Sequence, residues 1–142
     1  MSIDANIETL KDAYQRWHNT RGGSVDHWLK LMTDDVQFRS LAGGAVEMQF
    51  TRPSCCKDDV VQYFAGLTSE WEMIYYRVDE YIAQGDRVVA LGEVSFKHKK
   101  TGKTLVTAKA DFHKFRDGKI CEFFEFYDTK SALATASHES LK

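Results

Sequence analysis

The sequence predicts an α+β fold in which helices come first and a curved antiparallel sheet follows, closed around an internal apolar pocket. Three observations carry this. Apolar residues recur at helical spacing in three segments before residue 69, and at every second position from Met73 onward. Helices followed by a run of strands is an α+β order, not an alternating one. Aromatic residues make up 13% of the chain, with three Trp, six Tyr and nine Phe. Rigid side chains in that number fill a core or line a cavity for an apolar ligand.

The elements follow in order. Ile7, Leu10, Tyr14 and Trp17 predict an amphipathic helix over residues 3–20, ended by Gly22-Gly23. Ser24 is the expected N-cap of a second helix that places Val25, Trp28, Leu29 and Met32 on one face. Asp34-Asp35 leads into a short strand over 36–40. Residues 41–56 include two glycines and the only proline, have no period, and read as a loop able to fold over a pocket mouth. A third helix fits residues 57–68, with Val60, Val61, Phe64 and Leu67 inward and Asp58-Asp59 at its positive end.

Four strands follow at about 73–83, 87–98, 104–115 and 119–127. Gln84-Gly85-Asp86, Thr101-Gly102 and Arg116-Asp117-Gly118 separate them, each a turn signal. The last turn predicts Phe115 opposite Lys119. Lys97-His98-Lys99-Lys100 with Lys103 reads as a solvated hairpin tip rather than a phosphate-binding patch.

Composition bounds the function. A chain of 142 residues fits one domain, 1–142, able to bury its core without staples. A net charge of −2 gives no field to draw nucleic acid or an anionic membrane, so neither partner is expected. Met1-Ser2-Ile3-Asp4 has neither a basic start nor an apolar run, and no stretch approaches the roughly 20 apolar residues of a membrane span. Cys55, Cys56 and Cys121 are odd in number and lack zinc spacing. Reduced thiols and a cytoplasmic location are therefore expected.

Three segments carry a resemblance. "MTDDVQF" after two helices, "YIAQGDRVVALGEVSF" and "ADFHKFRDGKICEFFEFYD" resemble the nuclear transport factor 2-like superfamily, in its SnoaL-like and ketosteroid isomerase-like branches. The resemblance runs from Tyr14 to Asp128 and implies a cone: a bent sheet wrapping three helices around a deep apolar cavity. The superfamily hosts isomerases, cyclases, dehydratases, epoxide hydrolases and non-catalytic binders, so it implies a fold more sharply than a reaction.

Two-residue alternation then sorts the side chains. With Phe115 opposite Lys119, the residues Thr107, Lys109, Asp111, His113 and Phe115 share a face with Cys121, Phe123, Glu125 and Tyr127. Matching "EVSF" to the isomerase pattern adds Gly92, Val94 and Phe96 to this face, which lines the cavity in the family. Trp17, Trp28, Phe38, Ser40 and Phe64 complete the expected lining. Val106, Ala108, Ala110, Phe112, Phe124 and Phe126 fall on the other face, an apolar patch through which related proteins pair. A homodimer is the expectation.

Asp111 stands where the isomerases keep a protonated acid, so the resemblance implies a buried carboxyl whose pKa desolvation raises. The alternative is an Asp bonded to His113 or to a helix end. Tyr14 matches the isomerase tyrosine if the Gly22-Gly23 loop is a two-residue insertion, and it would share an oxyanion with Asp111. Otherwise it is an inward aromatic with a satisfied hydroxyl. The family's proton-shuttling carboxylate aligns with Ser40, which cannot take a proton from carbon unaided. Steroid isomerisation is therefore not expected.

Glu125 aligns with an acid of the polyketide-cyclase branch and could be a general acid or base. In the assumed register it lies opposite Lys109, so a cross-strand ion pair explains it equally well. His113 is a base candidate or a structural partner of Asp111. Glu122 points outward, and Asp128-Thr129 caps a short helix over 131–136.

The expected function is binding of a small apolar, oxygenated molecule and its isomerisation, cyclisation or dehydration by acid/base chemistry without metal or cofactor. A non-catalytic binder of the same fold is the alternative. An epoxide hydrolase-like enzyme ranks last, because its Asp–Arg–Asp set would need an inward arginine and the last three strands place none there.

Overall fold

Helix α1 spans Ile3–Asn19 in the computed structural model, which describes residues 2–138. The Ser2 hydroxyl caps it, accepting from the Ala5 N–H at 3.1 Å, and Leu10, Ala13, Tyr14 and Trp17 form its buried stripe. The helix ends where Arg21 and Gly22 take positive φ, 51° and 86°, the left-handed backbone that glycine adopts most easily. Helix α2 is Val25–Lys30, and Ser24 at its N-cap makes no side-chain bond, contrary to expectation. Met32 also leaves the expected helical face. The Leu31 carbonyl accepts from Ile120 N–H at 2.7 Å, which draws Met32 into strand β1, Met32–Ser40.

The segment read as a loop contains short 3-10 turns over Val46–Thr51, kinked at Met48. Helix α3 is Lys57–Glu70, with Val60, Tyr63 and Phe64 buried. Val61, expected inward, is instead exposed; the inward stripe is 60, 63, 64, 67, the regular spacing of one helix face.

Strands β2 (Trp71–Gln84), β3 (Arg87–His98), β4 (Thr104–Arg116) and β5 (Lys119–Tyr127) form the expected antiparallel meander, followed by α4, Thr129–Ala136. The strand order is β1-β5-β4-β3-β2. The sheet is not wholly antiparallel, because β1 runs parallel to β5, with Phe38 beside Phe123 and Ser40 beside Glu125. Hydrophobic alternation fixes which face a residue takes and says nothing of strand direction.

Two details bend and register the sheet. Strand β2 bulges between Val78 and Glu80, where a Cβ on Gly92 would lie 1.8 Å from the Arg77 carbonyl oxygen. Only glycine lets β3 approach so closely. In the last hairpin, Arg116 pairs with Lys119 and Phe115 with Ile120, not Phe115 with Lys119. Ile120, fully buried beside Phe115, thus takes the inward place expected of Cys121, and a bulge between Lys114 and Phe115 adds a second one-residue shift that returns Phe123 to the inner face.

Helices α1, α2 and α3 fill the concave side of the sheet, where Leu10, Trp17, Trp28 and Phe64 join Val36, Val88 and Val94 in one core. The basic hairpin tip is not freely solvated. His98 is buried, its ring 4.8 Å from that of Trp71. Lys99 Nζ donates to the Thr68 carbonyl at 2.7 Å and Lys103 Nζ to the Ser137 carbonyl at 2.6 Å, at the ends of α3 and α4, where cations meet unpaired helix carbonyls. Asp128 caps α4 as expected, accepting from Ser131 N–H at 3.1 Å. Among the described residues, no helix is long and apolar enough to cross a membrane.

Candidate functional site

A cavity of about 80 Å³ lies between the concave sheet face and the helices. Trp17, Trp28, Phe38, Phe64, Val94, Phe96, Phe123 and Tyr127 all line it, as do Tyr14, Asp111 and Glu125. The 3-10 segment contributes Met48 and Phe50, so residues 41–56 do cover the pocket. Three candidates do not reach it. Phe115 and His113 are buried behind the lining, and Ser40 bonds the Tyr127 hydroxyl at 2.6 Å. None of the lining residues is an arginine.

One wall is polar, built from alternate residues of three strands and two helices. Asp111 of β4 accepts from the hydroxyls of Tyr14 (2.7 Å, from α1) and Tyr76 (β2) on one oxygen, and from Lys109 Nζ at 2.5 Å on the other. The same ammonium donates to Glu125 of β5 at 3.0 Å and to the Tyr76 oxygen at 2.5 Å. Tyr63 of α3 donates to the far oxygen of Glu125 at 2.5 Å. Two buried carboxylates thus share one lysine and three phenols.

The register that achieves this differs from the expected one. Glu125 stands directly opposite Asp111, and Lys109 opposite Tyr127, because the hairpin pairing and the bulge each shift β5 by one residue. The Lys109–Glu125 ion pair forms nonetheless, since the lysine reaches diagonally across the strands. His113 does not touch Asp111 as expected. Its Nε2 lies 2.8 Å from the Tyr14 hydroxyl and its Nδ1 3.0 Å from the Val88 carbonyl oxygen.

Electrostatics overturn the role expected of Asp111. Burial pushes its pKa up, but the Lys109 ammonium, aided by His113 and by hydrogen bonds, outweighs burial and holds the carboxyl below its ordinary value. It is not a neutral acid kept protonated by desolvation. Burial likewise pulls Lys109 down, yet Asp111 and Glu125 together keep it above the ordinary lysine value. Tyr14, Tyr63 and Tyr76 are all raised well above 10 by burial and by the neighbouring carboxylates. Burial pushes His113 down to about 4, against the pull of Asp111.

The model of the SnoaL-like domain matches residues 10–123, most of the chain. The chain belongs to the SnoaL-like domain family. No curated protein matches it. Among solved structures, a nuclear transport factor 2-like protein of unknown function from Burkholderia pseudomallei K96243 is similar at 18% identity, over 96% of this chain and 99% of that one, with a TM-score of 0.80. A protein described as a SnoaL-like polyketide cyclase from Jannaschia sp. CCS1 is similar at 16% identity, over 98% and 97%, with a TM-score of 0.77. TerC, co-crystallised with polyporic acid, is similar at 20% identity, over 93% and 98%, with a TM-score of 0.76. At such identities the likeness establishes the fold alone.

Within this SnoaL-like domain, sequence reasoning missed Tyr63, Tyr76 and Trp71. Tyr63 was legible, because it completes the 60, 63, 64, 67 stripe of α3. Tyr76 was hidden by the β2 bulge between Met73 and Tyr75, which breaks the alternation from which its inward direction would be read. Trp71 sits at the helix–strand junction, where neither period applies.

Proposed function

We propose that the cavity binds a small oxygenated molecule of mainly apolar surface and moves a proton on it without a cofactor. The observation that carries this is the shared lysine: two carboxylates, Asp111 and Glu125, are buried side by side in an aromatic cavity around one ammonium. The three charges sum to −1, in a place where an uncompensated charge is costly. Glu125 acts as the base toward an acidic C–H, and Lys109 with Tyr14 and Tyr76 supplies the positive and hydrogen-bonding environment for the oxyanion that forms.

Size and polarity narrow the guest. An engineered cavity of about 150 Å³ admits benzene, so a pocket of about 80 Å³ takes a larger molecule only if lining side chains move. The indole Nε1 of Trp71, which lines the pocket, is buried without a partner among the described residues. An indole N–H can only donate, and leaving it unmet costs about 1–3 kcal/mol, so an acceptor oxygen on the guest is favoured. The co-crystallisation of TerC with polyporic acid is consistent with an oxygenated guest.

The alternative, a binder without chemistry, is supported by one observation: each carboxylate oxygen of the cluster already has a donor within the protein. Assembly as a homodimer through the outer sheet face belongs to either reading. It is supported by Val106 and Phe126, 56% and 40% exposed on that face.

The test begins with a thermal-shift screen of small ketones, quinones and phenols. A guest at 100 times its dissociation constant stabilises by about 2.7 kcal/mol. With that guest, Glu125→Gln should lower turnover on the order of 10²–10⁴-fold while leaving binding within a few-fold. Tight binding with no turnover in the wild type selects the binder.

A further inference from the structure

The hydrogen bonds around Tyr14 can be counted proton by proton. The Val88 carbonyl can only accept, so His113 Nδ1, 3.0 Å away, carries a proton. His113 Nε2, the Tyr14 oxygen and Asp111 Oδ2 then form a line with contacts of 2.8 and 2.7 Å. Two such contacts need two protons, and the phenol has one.

Among the described residues no neighbour has a proton to spare. The three protons of Lys109 point at Asp111 Oδ1, Glu125 Oε1 and the Tyr76 oxygen. The Tyr76 proton goes to Asp111 Oδ2, and that of Tyr63 to Glu125. Tyr81 of β2 faces Tyr14 only ring to ring, at 6.4 Å. With His113 neutral and Asp111 ionised, one of the two Tyr14 contacts would set lone pair against lone pair.

Charge leads to the same count. Lys109, Asp111 and Glu125 sum to −1, and the wall that holds them is buried, with Asp111 at 1% and His113 at 0% exposure. One more proton brings the cluster to zero, the state that a buried site favours.

We propose that His113, Tyr14 and Asp111 hold one proton beyond a neutral imidazole and an ionised carboxylate, and that Tyr14 passes it to the guest. Its use in catalysis rests on the function proposed above; its existence does not. Taken singly, burial pushes His113 down to about 4 and Lys109 holds Asp111 low, so neither group alone retains an added proton. The contacts decide otherwise, because the repulsion relieved by the proton belongs to the pair and to neither group.

The transfer balances. The Tyr14 O–H bond breaks toward the guest oxygen, the Nε2 proton of His113 moves to the Tyr14 oxygen, and His113 is left neutral. If Glu125 takes a proton from the guest's carbon in the same turnover, the cluster ends at the charge with which it began. His113, sealed behind Tyr14, is therefore a positioning residue that supplies the proton without touching the guest.

The test needs no substrate. In wild-type protein labelled with ¹⁵N and ¹³C, NMR near neutral pH should find the extra proton on His113 Nε2, with Asp111 ionised. In Tyr14→Phe that signal should revert, giving a neutral imidazole protonated at Nδ1. A wild type with bare Nε2 overturns the proposal, and that wild-type reading stands even if Tyr14→Phe fails to fold. A guest that binds without turnover would count against the proposed function and leave the proton count intact.

Discussion

Between residues 106 and 113 the two faces of strand β4 carry opposite chemistry, and the distribution there is the reverse of the ordinary one. Antiparallel sheets usually turn apolar residues to the core and polar ones to water. Here Thr107, Lys109, Asp111 and His113 point inward, the last two essentially without exposure, while Val106, Ala108, Ala110 and Phe112 point outward. On β5 the rings of Phe124 and Phe126 stack on the outer face at 4.3 Å, with the Arg39 guanidinium over Phe124. Buried polar groups are stable only when fully bonded, and the inner cluster is. Under the proposed function the inner face serves the guest, and under the proposed dimer the outer face serves a second copy.

The sharpest way to break this contrast is to remove the inner cation. Lys109→Met leaves Asp111 and Glu125 facing each other without compensation, and should cost about 3–5 kcal/mol in denaturant unfolding. A loss below about 1 kcal/mol would mean that the cluster is solvated. Acid unfolding tests the same cation with a definite sign. Because Lys109 holds Asp111 low, Asp111 contributes stability above about pH 3.9, lost as pH falls through its lower native value. Lys109→Met should move the acid midpoint, followed by circular dichroism, to higher pH.

A smaller inner change, Tyr76→Phe, withdraws one donor from Asp111 and one acceptor from Lys109. It should cost about 1–3 kcal/mol, against almost nothing for Tyr75→Phe, whose hydroxyl bonds Glu93 in a half-buried position. On the outer face, Phe126→Lys should convert a dimer to monomer in light scattering while leaving guest affinity unchanged. A wild-type monomer at tens of micromolar would end the dimer reading. The smallest effect is expected for Val106→Thr, within about 0.5 kcal/mol of wild type.

Legibility followed the same division. The helices, the meander and the inward places of Lys109, Asp111 and His113 follow from period alone, because a period of two assigns faces without knowledge of partners. The cross-strand partner of Lys109 did not, since the hairpin pairing and the bulge at Phe115 together moved Glu125 from opposite Lys109 to opposite Asp111. The charge argument turned instead on Lys109 itself, two residues from Asp111 on the same strand face. The adjacent Lys109, with His113 and the hydrogen bonds, outweighs burial in the ionisation of Asp111, whereas the place of Glu125 depends on a cross-strand register that a three-residue turn only suggests. Tyr63 could have been read from its helix stripe. Tyr76 and Trp71 could not, lying beside a bulge and at a junction where the period lapses.

Solvent deuterium exchange into a bound guest tests the central claim, that the inner cluster moves protons. A small enolisable ketone that stabilises the protein would be held saturated in deuterated buffer, with exchange at its acidic carbon read by mass spectrometry. The account predicts exchange well above the buffer rate, lowered on the order of 10²–10⁴-fold by Glu125→Gln and untouched by Phe126→Lys. Exchange at the buffer rate in wild type, or full exchange in a Glu125→Gln variant that still binds, would contradict it.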